Sequence, residues 1–339
     1  MNPTLDDIAA GLARFLGDLW DDRVSVDELR AASAGARRRN ILFRARMSDG
    51  SERRLVATII PTVDLQLMDI EVEAANIRFA EAVGVPVPHV VADTSDDSWV
   101  GGAFFVTEQV DGESVPRSVM RLVDATPGLA ETLAHQCGEA FARLHGADLS
   151  QAHPDLLGRN APVGPVRAAL DSTRARMDEL LLAPSVPFEL AHRWLEANAP
   201  DEVEPAMVHS DFRVGNIIVG EDGLRAVLDW EVSGVGAPMS DVAWMCVRMW
   251  RFGNDQLEVG GIAERSLLRE GYESAGGRWD DHAFDWWKLL STLRWGVGLA
   301  GQARQHLNGE FRSIVMAGSG RRVAELESDC LTLLARHAG

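Results

Sequence analysis

Met207-Val208-His209-Ser210-Asp211-Phe212-Arg213-Val214-Gly215-Asn216, running on through Ile217-Ile218-Val219-Gly220-Glu221-Asp222-Gly223-Leu224-Arg225-Ala226-Val227-Leu228-Asp229-Trp230-Glu231, is the stretch on which the fold turns. Apolar runs at 217–219 and 224–228 flank an Asp-Gly pair. Glycine accepts positive φ without a Cβ clash, so this pattern predicts a β-hairpin. Folding about that turn makes Asn216 and Asp229 near-mirror positions and carries an amide and a carboxylate to the open end of one ribbon. Asp211 lies on a short loop just before Asn216, where it stays able to accept a proton. One carboxylate plus one amide suits Mg²⁺, which keeps several waters and takes phosphate oxygens instead of a full protein cage. Phosphoryl transfer asks for the same parts: a cation to neutralise charge on the moving group, and an aspartate to orient the attacking hydroxyl and take its proton.

The order His-x-Asp-x-x-x-x-Asn, hairpin, Asp resembles the catalytic and metal-binding segments of kinase-like phosphotransferases. With Gly236-Ala237-Pro238-Met239-Ser240-Asp241-Val242-Ala243-Trp244 following, the chain is similar, more narrowly, to the aminoglycoside phosphotransferase and choline kinase-like family. Ordered motifs carry the likeness from Ser33 to Trp244. The resemblance implies an α+β, bilobal protein kinase-like fold. Residues 1–108 would form a small nucleotide-binding lobe with an antiparallel sheet, and 109–339 a larger, mostly helical catalytic and substrate-binding lobe. It implies ATP or GTP as co-substrate with Mg²⁺, Asp211 as base, Asn216 and Asp229 as metal ligands, and His209 and Asp241 as structural supports of the loop. Many members carry glycine at the position of Ser210.

In the first lobe, Thr4-Leu5-Asp6-Asp7 reads as a helix start, with Leu5, Ile8, Leu12, Phe15, Leu16 and Leu19 at helical spacing. Asn40 to Met47 and Arg53 to Ile60 read as strands joined by Ser48-Asp49-Gly50-Ser51. The family places a lysine, or in some relatives an arginine, on the second of these strands to hold phosphate; here that position is Thr58, and the first lobe has no lysine. Pairing about Asp49-Gly50 sets Thr58 opposite Ile41 and brings Arg37, Arg38 and Arg39 to the same mouth. One of these arginines is then the expected replacement, since a guanidinium binds phosphate in a two-pronged fashion; a solvated charge run is the other reading. Asp69 to Val83 reads as a helix in which Glu73 holds the place of the family's cation-pairing glutamate. Val90 to Ala92 and Phe104 to Gln109 read as strands, and the resemblance assigns the backbone of Glu108 to Val110 to the adenine.

The remainder reads as helical, including Leu129 to His145 and Pro187 to Ala199. Late tryptophans such as Trp250, Trp286 and Trp295 are core residues or walls of an acceptor pocket. Gly296-Val297-Gly298-Leu299-Ala300-Gly301 mimics a dinucleotide fingerprint, but it sits within a helical pattern and reads as a close helix contact. Asp280, Asp281 and Asp285 suit a helix N-terminus.

A length of 339 residues exceeds one ordinary core. The net charge of -18 argues against a nucleic-acid partner, because neutralising phosphates needs a basic face. It slightly favours a cationic acceptor. Lys288 is the only lysine, and arginine provides every other side-chain cation. The odd set Cys137, Cys246 and Cys330 has no zinc spacing and points to buried thiols in a reducing, cytoplasmic setting. No apolar run approaches membrane-spanning length, and nothing fixes the oligomeric state. The reading is therefore an ATP- or GTP-dependent phosphotransferase acting on a small-molecule hydroxyl. The alternative is a kinase-like nucleotide- or partner-binding protein without turnover, which the loss of the strand lysine favours. A hydrolase using Ser210 is rejected, since Ser210 lacks a glycine-flanked nucleophile elbow.

Overall fold

The computed structural model describes residues 3–34, 38–60, 67–154, 164–310 and 312–337. Arg37 lies outside them. The described chain is a mixed α+β structure in two compact units. One comprises residues 1–114, 148–158 and 216–233; the other comprises 115–147, 159–215 and 234–339.

The first unit is built on a five-stranded sheet in the order β1-β2-β3-β5-β4, with every neighbour antiparallel. Its strands are β1 (Ser25–Ala34), β2 (Arg39–Arg46), β3 (Glu52–Ile60), β4 (Val90–Thr94) and β5 (Ala103–Glu108). Helix α1 (Leu5–Trp20) starts where Thr4 and Asp7 cap each other reciprocally, each side chain taking the other's backbone N–H. Its apolar stripe of Ile8, Leu12 and Leu16 is buried with Ile41, Phe43, Leu55, Ala57 and Phe104 of the sheet. Alternation along β2 and β3 supplies those inward positions. Helix α2 (Ile70–Ala82) follows Asp69, and the chain leaves it at Gly84 with φ 83°.

The β2–β3 register corrects one expectation. Thr58 pairs with Asn40, and Ile41 with Ala57. Arg46 opposite Glu52 is the last pair, so the loop has an odd number of residues centred on Asp49, and Gly50 takes φ 85°. A two-residue Asp-Gly turn would have shifted the register by one.

The predicted hairpin exists, but it turns at Glu221-Asp222 and not at the Asp-Gly pair: Gly223 pairs with Gly220 and opens the second strand with φ 111°. Ile217–Gly220 pairs antiparallel with Gly223–Val227. A register shift between Ile218 and Val219 puts Asn216 against Leu228, whose N–H bonds the Asn216 carbonyl at 2.8 Å. Asp229 follows one residue further on, so the mirror relation with Asn216 is offset by one. The ribbon belongs to the first unit: Val227 N–H bonds Pro86 O at 2.8 Å, and Glu113 and Val219 exchange two backbone bonds of 2.9 Å.

The second unit is helical. Its helices are α3 (Pro116–Ala125), α4 (Leu129–His145), α5 (Pro165–Leu180), α6 (Val186–Ala197), α7 (Pro238–Met245), α8 (Arg265–Ser274), α9 (Asp281–Leu307), α10 (Ile314–Ser319) and α11 (Val323–Ala335). A short strand pair, Ala206–Val208 with Gly234–Gly236, joins them. Helix α9 begins with Asp280 accepting the N–H of Ala283. The fingerprint-like glycines lie inside α9, and two of them are packing positions: a Cβ on Gly296 would sit 2.4 Å from Phe188 Cζ and one on Gly301 3.1 Å from Leu180 Cδ1. All three cysteines are free and buried. Among the described residues, no helix is long and apolar enough to cross a membrane.

Candidate active site

In the second unit, Asp211 stands on a loop held by buried polar groups. Asp241, in the first turn of α7 and 0 % exposed, accepts the N–H of His209 at 2.6 Å and of Ser210 at 2.7 Å. His145, at the end of α4, faces the same carboxylate at 3.4 Å through Nε2 and Tyr272 Oη at 3.1 Å through Nδ1. Burial, with the charge of Asp241 adding, raises the Tyr272 phenol well above its ordinary range. His209 is buried, and its Nδ1 accepts the N–H of Asp211 at 3.1 Å. Phe212 anchors the loop by packing on Phe141, with ring centroids 4.3 Å apart. Ser210 takes φ 67°, a left-handed conformation that favours glycine and costs an L-residue about 1–2 kcal/mol. Gly215 takes φ 111°, and a Cβ there would lie 2.9 Å from the Arg213 guanidinium.

The carboxylate of Asp211 is itself held by two donors. Arg213 Nε reaches Oδ1 at 3.0 Å and Trp244 Nε1 reaches the same atom at 2.8 Å. The Arg213 guanidinium also lies 4.6 Å from the ring centre of Trp250. Trp244, Trp250 and Trp295 form a mutually packed trio with centroid separations of 5.1–5.8 Å. The indole N–H groups of Trp250 and Trp295 are buried without a hydrogen-bond partner among the described residues. The sequence singled out neither Arg213 nor Trp244 as a site residue. Arg213 follows Asp211 by two positions and was open to that reading; the indole donor arrives from 33 residues away and left no local signal.

The first unit gathers a different set. Arg38, immediately before β2, makes a bidentate pair with Glu73 of α2, both contacts at 2.8 Å. Glu73 is 1 % exposed and the Arg38 side chain 11 %. The same guanidinium lies 2.7 Å from Glu231 and 3.7 Å from Asp229, and its Nε is buried without a partner among the described residues. Burial opposes the Arg38 charge, but the bonds to Glu73 and the charges of Glu231 and Asp229 outweigh it and raise its pKa. Burial, then the neighbouring Asp229 and Glu231, raise Glu73 despite Arg38.

One helical turn beyond Glu73, Asn76 donates to Ser233 Oγ at 3.0 Å, and Ser233 Oγ donates to Trp230 O at 2.6 Å. This bond fixes the segment after Asp229 to α2. Asp229 adopts φ 69° with its side chain 38 % exposed, whereas Asn216 is buried. A half-exposed carboxylate, an amide and an excess of acid fit a hard divalent cation that draws its remaining ligands from water or phosphate. Among the described residues no three His, Cys, Asp or Glu side chains form a metal-holding group, which Mg²⁺ does not require.

The other predicted positions are placed as follows. Arg39 lies in β2 opposite Ile59 and donates to Pro3 O at 3.3 Å. Thr58 is buried in β3 between Asn40 and Phe105. Glu108 gives its side chain to Arg53 at 2.7 Å and its N–H to His89 O, and the next N–H, of Gln109, goes to Arg54 O, both at 2.9 Å. Val110 follows directly.

A model of the phosphotransferase enzyme family matches residues 28–287. The chain belongs to that family. Its phosphotransferase fold is shared with a candidate aminoglycoside phosphotransferase of Ralstonia eutropha JMP134, at TM-score 0.70 and 20 % identity over 96 % of this chain and 98 % of that one. It is shared also with a thermostable mutant of aminoglycoside phosphotransferase APH(4)-Ia in ternary complex with AMP-PNP and hygromycin B, at TM-score 0.63 and 17 % identity over 98 % and 100 %. Among curated proteins, mouse acyl-CoA dehydrogenase family member 10 is 29 % identical over 180 residues, 52 % of this chain and 16 % of that protein. Chicken acyl-CoA dehydrogenase family member 11 is 32 % identical over 166 residues, 48 % of this chain and 21 % of that protein. This family member therefore spans about a fifth of the curated relatives it matches.

Proposed function

We propose that the chain transfers the γ-phosphoryl group of ATP or GTP to a hydroxyl of a small molecule. The observation that carries this reading is the fixing of Asp211 by Arg213 and Trp244 on a loop pinned from below by Asp241. A carboxylate oriented in this way is what an attacking alcohol needs. In the proposed step the acceptor oxygen bonds to the γ-phosphorus, the bond to the β–γ bridging oxygen breaks, the nucleoside diphosphate leaves, and the hydroxyl proton passes to Asp211. Asn216 and Asp229 would hold Mg²⁺, with His209 and Asp241 keeping the loop in place. Mg²⁺, when bound, neutralises charge on the β- and γ-phosphates.

With the N–H groups of Glu108 and Gln109 already spent, Val110 is the residue we assign to the adenine edge. The trio Trp244, Trp250 and Trp295 is our acceptor wall, and the two unpartnered indole N–H groups are its donors. The curated relatives are named as acyl-CoA dehydrogenase family members, so a hydroxyacyl compound is our first acceptor class, ahead of an aminoglycoside, choline, a sugar or an amino alcohol. We place the protein in the cytoplasm, where buried cysteines stay reduced, and assign it neither nucleic acid nor membrane as partner.

The test is Mg²⁺-dependent ATP and GTP turnover across a panel of hydroxyl compounds, with Asp211→Ala alongside. Turnover stimulated by one compound class and abolished in Asp211→Ala supports the reading. The buried Thr58 in place of a strand cation favours the second reading, nucleotide binding without transfer. Nucleotide binding with no turnover on any compound, unaffected by Asp211→Ala, would establish that one instead.

A further inference from the structure

We infer that Arg38 is this chain's phosphate-binding cation, delivered from the residue before β2 instead of from β3, and that Glu73 serves to hold it there. The inference rests on the phosphotransferase reading above and deepens it. Three observations carry it, all within the first unit.

The first is position. Thr58, where the strand cation is missing, pairs with Asn40, and Arg38 precedes Asn40 by two residues on the same strand end. A long guanidinium entering from the neighbouring strand can cover ground that a short threonine on β3 leaves open.

The second is the pairing. Glu73 is almost wholly buried, and a buried carboxylate without a partner would be strongly destabilising. Its two contacts of 2.8 Å to Arg38 use both oxygens and lock the guanidinium plane. Arg39, its neighbour, reaches Pro3 O, whereas Arg38 reaches Glu73, Glu231 and Asp229, so of the two described arginines Arg38 is the one at the acidic cluster.

The third is what remains unsatisfied. Arg38 Nε is buried and has no acceptor among the described residues, although both terminal nitrogens have carboxylate partners. A donor left over on a guanidinium already aligned by Glu73 suits a phosphate oxygen. Asp229, assigned above to Mg²⁺, lies 3.7 Å from the same group, so the phosphate tail would meet both charges together.

The experiment compares binding of ATP and of adenosine, each with Mg²⁺, to the full chain by calorimetry. For Arg38→Ala we expect the Kd for ATP to rise about tenfold or more, a loss of a charge-assisted contact, with adenosine affinity changed less than about twofold. Adding Thr58→Lys to Arg38→Ala should recover a substantial part of the ATP affinity. Arg44→Ala, on β2 but paired with Glu28 and Glu52, is the control and should change neither ligand. Arg38→Lys keeps the charge and carries the test if Arg38→Ala does not fold; it should weaken ATP about threefold and leave adenosine alone. Equal weakening of ATP and adenosine would make Arg38 a purely structural residue and overturn the inference, as would unchanged ATP affinity. A wild-type chain that binds neither ATP nor GTP would overturn the phosphotransferase reading itself, a result distinct from the failure of Arg38 alone.

Discussion

Trp244 and Asp211 are joined by a 2.8 Å hydrogen bond from indole nitrogen to carboxylate oxygen. Trp244 is on α7, the helix whose first turn supplies Asp241, so one short helix both pins the backbone of the Asp211 loop and orients its carboxylate. Trp244→Phe keeps the ring and removes the donor. We expect turnover to fall by about tenfold or more, as for loss of a bond to a charged group, with the nucleotide KM changed less than about twofold. Unchanged turnover would mean that Arg213 alone orients the carboxylate.

Asp241 is the more costly residue to lose. Fully buried, it accepts two backbone N–H groups and faces His145. Asp241→Ala strands those donors, and the stability of the chain should drop by about 3–5 kcal/mol, read as a lower urea midpoint with turnover lost in parallel. A midpoint within error of wild type would show that water replaces the carboxylate.

Ser210 pays for its place with a left-handed backbone. Ser210→Gly removes the Cβ clash while leaving the N–H bond to Asp241 available, so unfolding free energy should rise by about 1 kcal/mol. Ser210→Val should fall in the opposite direction, because branching at Cβ makes φ 67° worse. Equal stability of the two variants would contradict the strain.

Glu258 adds a pH-dependent contribution to stability on the acid side. It binds Arg265 at 2.8 and 3.1 Å and Lys288, the chain's only lysine, which is itself buried. Burial works against its charge, yet these partners lower its pKa from 4.5 to about 2. A depressed acid pKa stabilises the folded state at pH values above the unfolded one, so this contribution is complete above about pH 4.5 and disappears as pH falls through about 2. Urea unfolding at pH 6 and pH 3 should show wild type losing part of its advantage over Glu258→Gln at the lower pH. A pH-independent gap between the two would exclude the ion pair as its source.

Local chemistry made much of the architecture legible. The Thr4 and Asp7 capping pair, the helical stripe after it, the Asp69 to Val83 helix and the existence of the ribbon between Ile217 and Val227 are all written in residues a few positions apart. What escaped was set at longer range. The hairpin turns at Glu221-Asp222, one residue before the Asp-Gly pair, which would set Asn216 two places from Asp229; the irregularity between Ile218 and Val219 recovers one of them, and no short-range pattern encodes a bulge of this kind. Likewise, Arg38 and Arg39 are alike in sequence. Only the β2–β3 register and the arrival of Glu73 from α2 separate the arginine facing acids from the one facing Pro3. The contact of Asn76 with Ser233 spans 157 residues and could not be read from either end.

The most direct measurement of the central claim is calorimetric binding of a non-hydrolysable ATP analogue to wild type and Asp229→Ala, with Mg²⁺ and with EDTA. Saturable binding that needs Mg²⁺ and weakens by about tenfold or more in Asp229→Ala is the predicted result. No binding of ATP or GTP analogues, or binding indifferent to both the ion and Asp229, would contradict it.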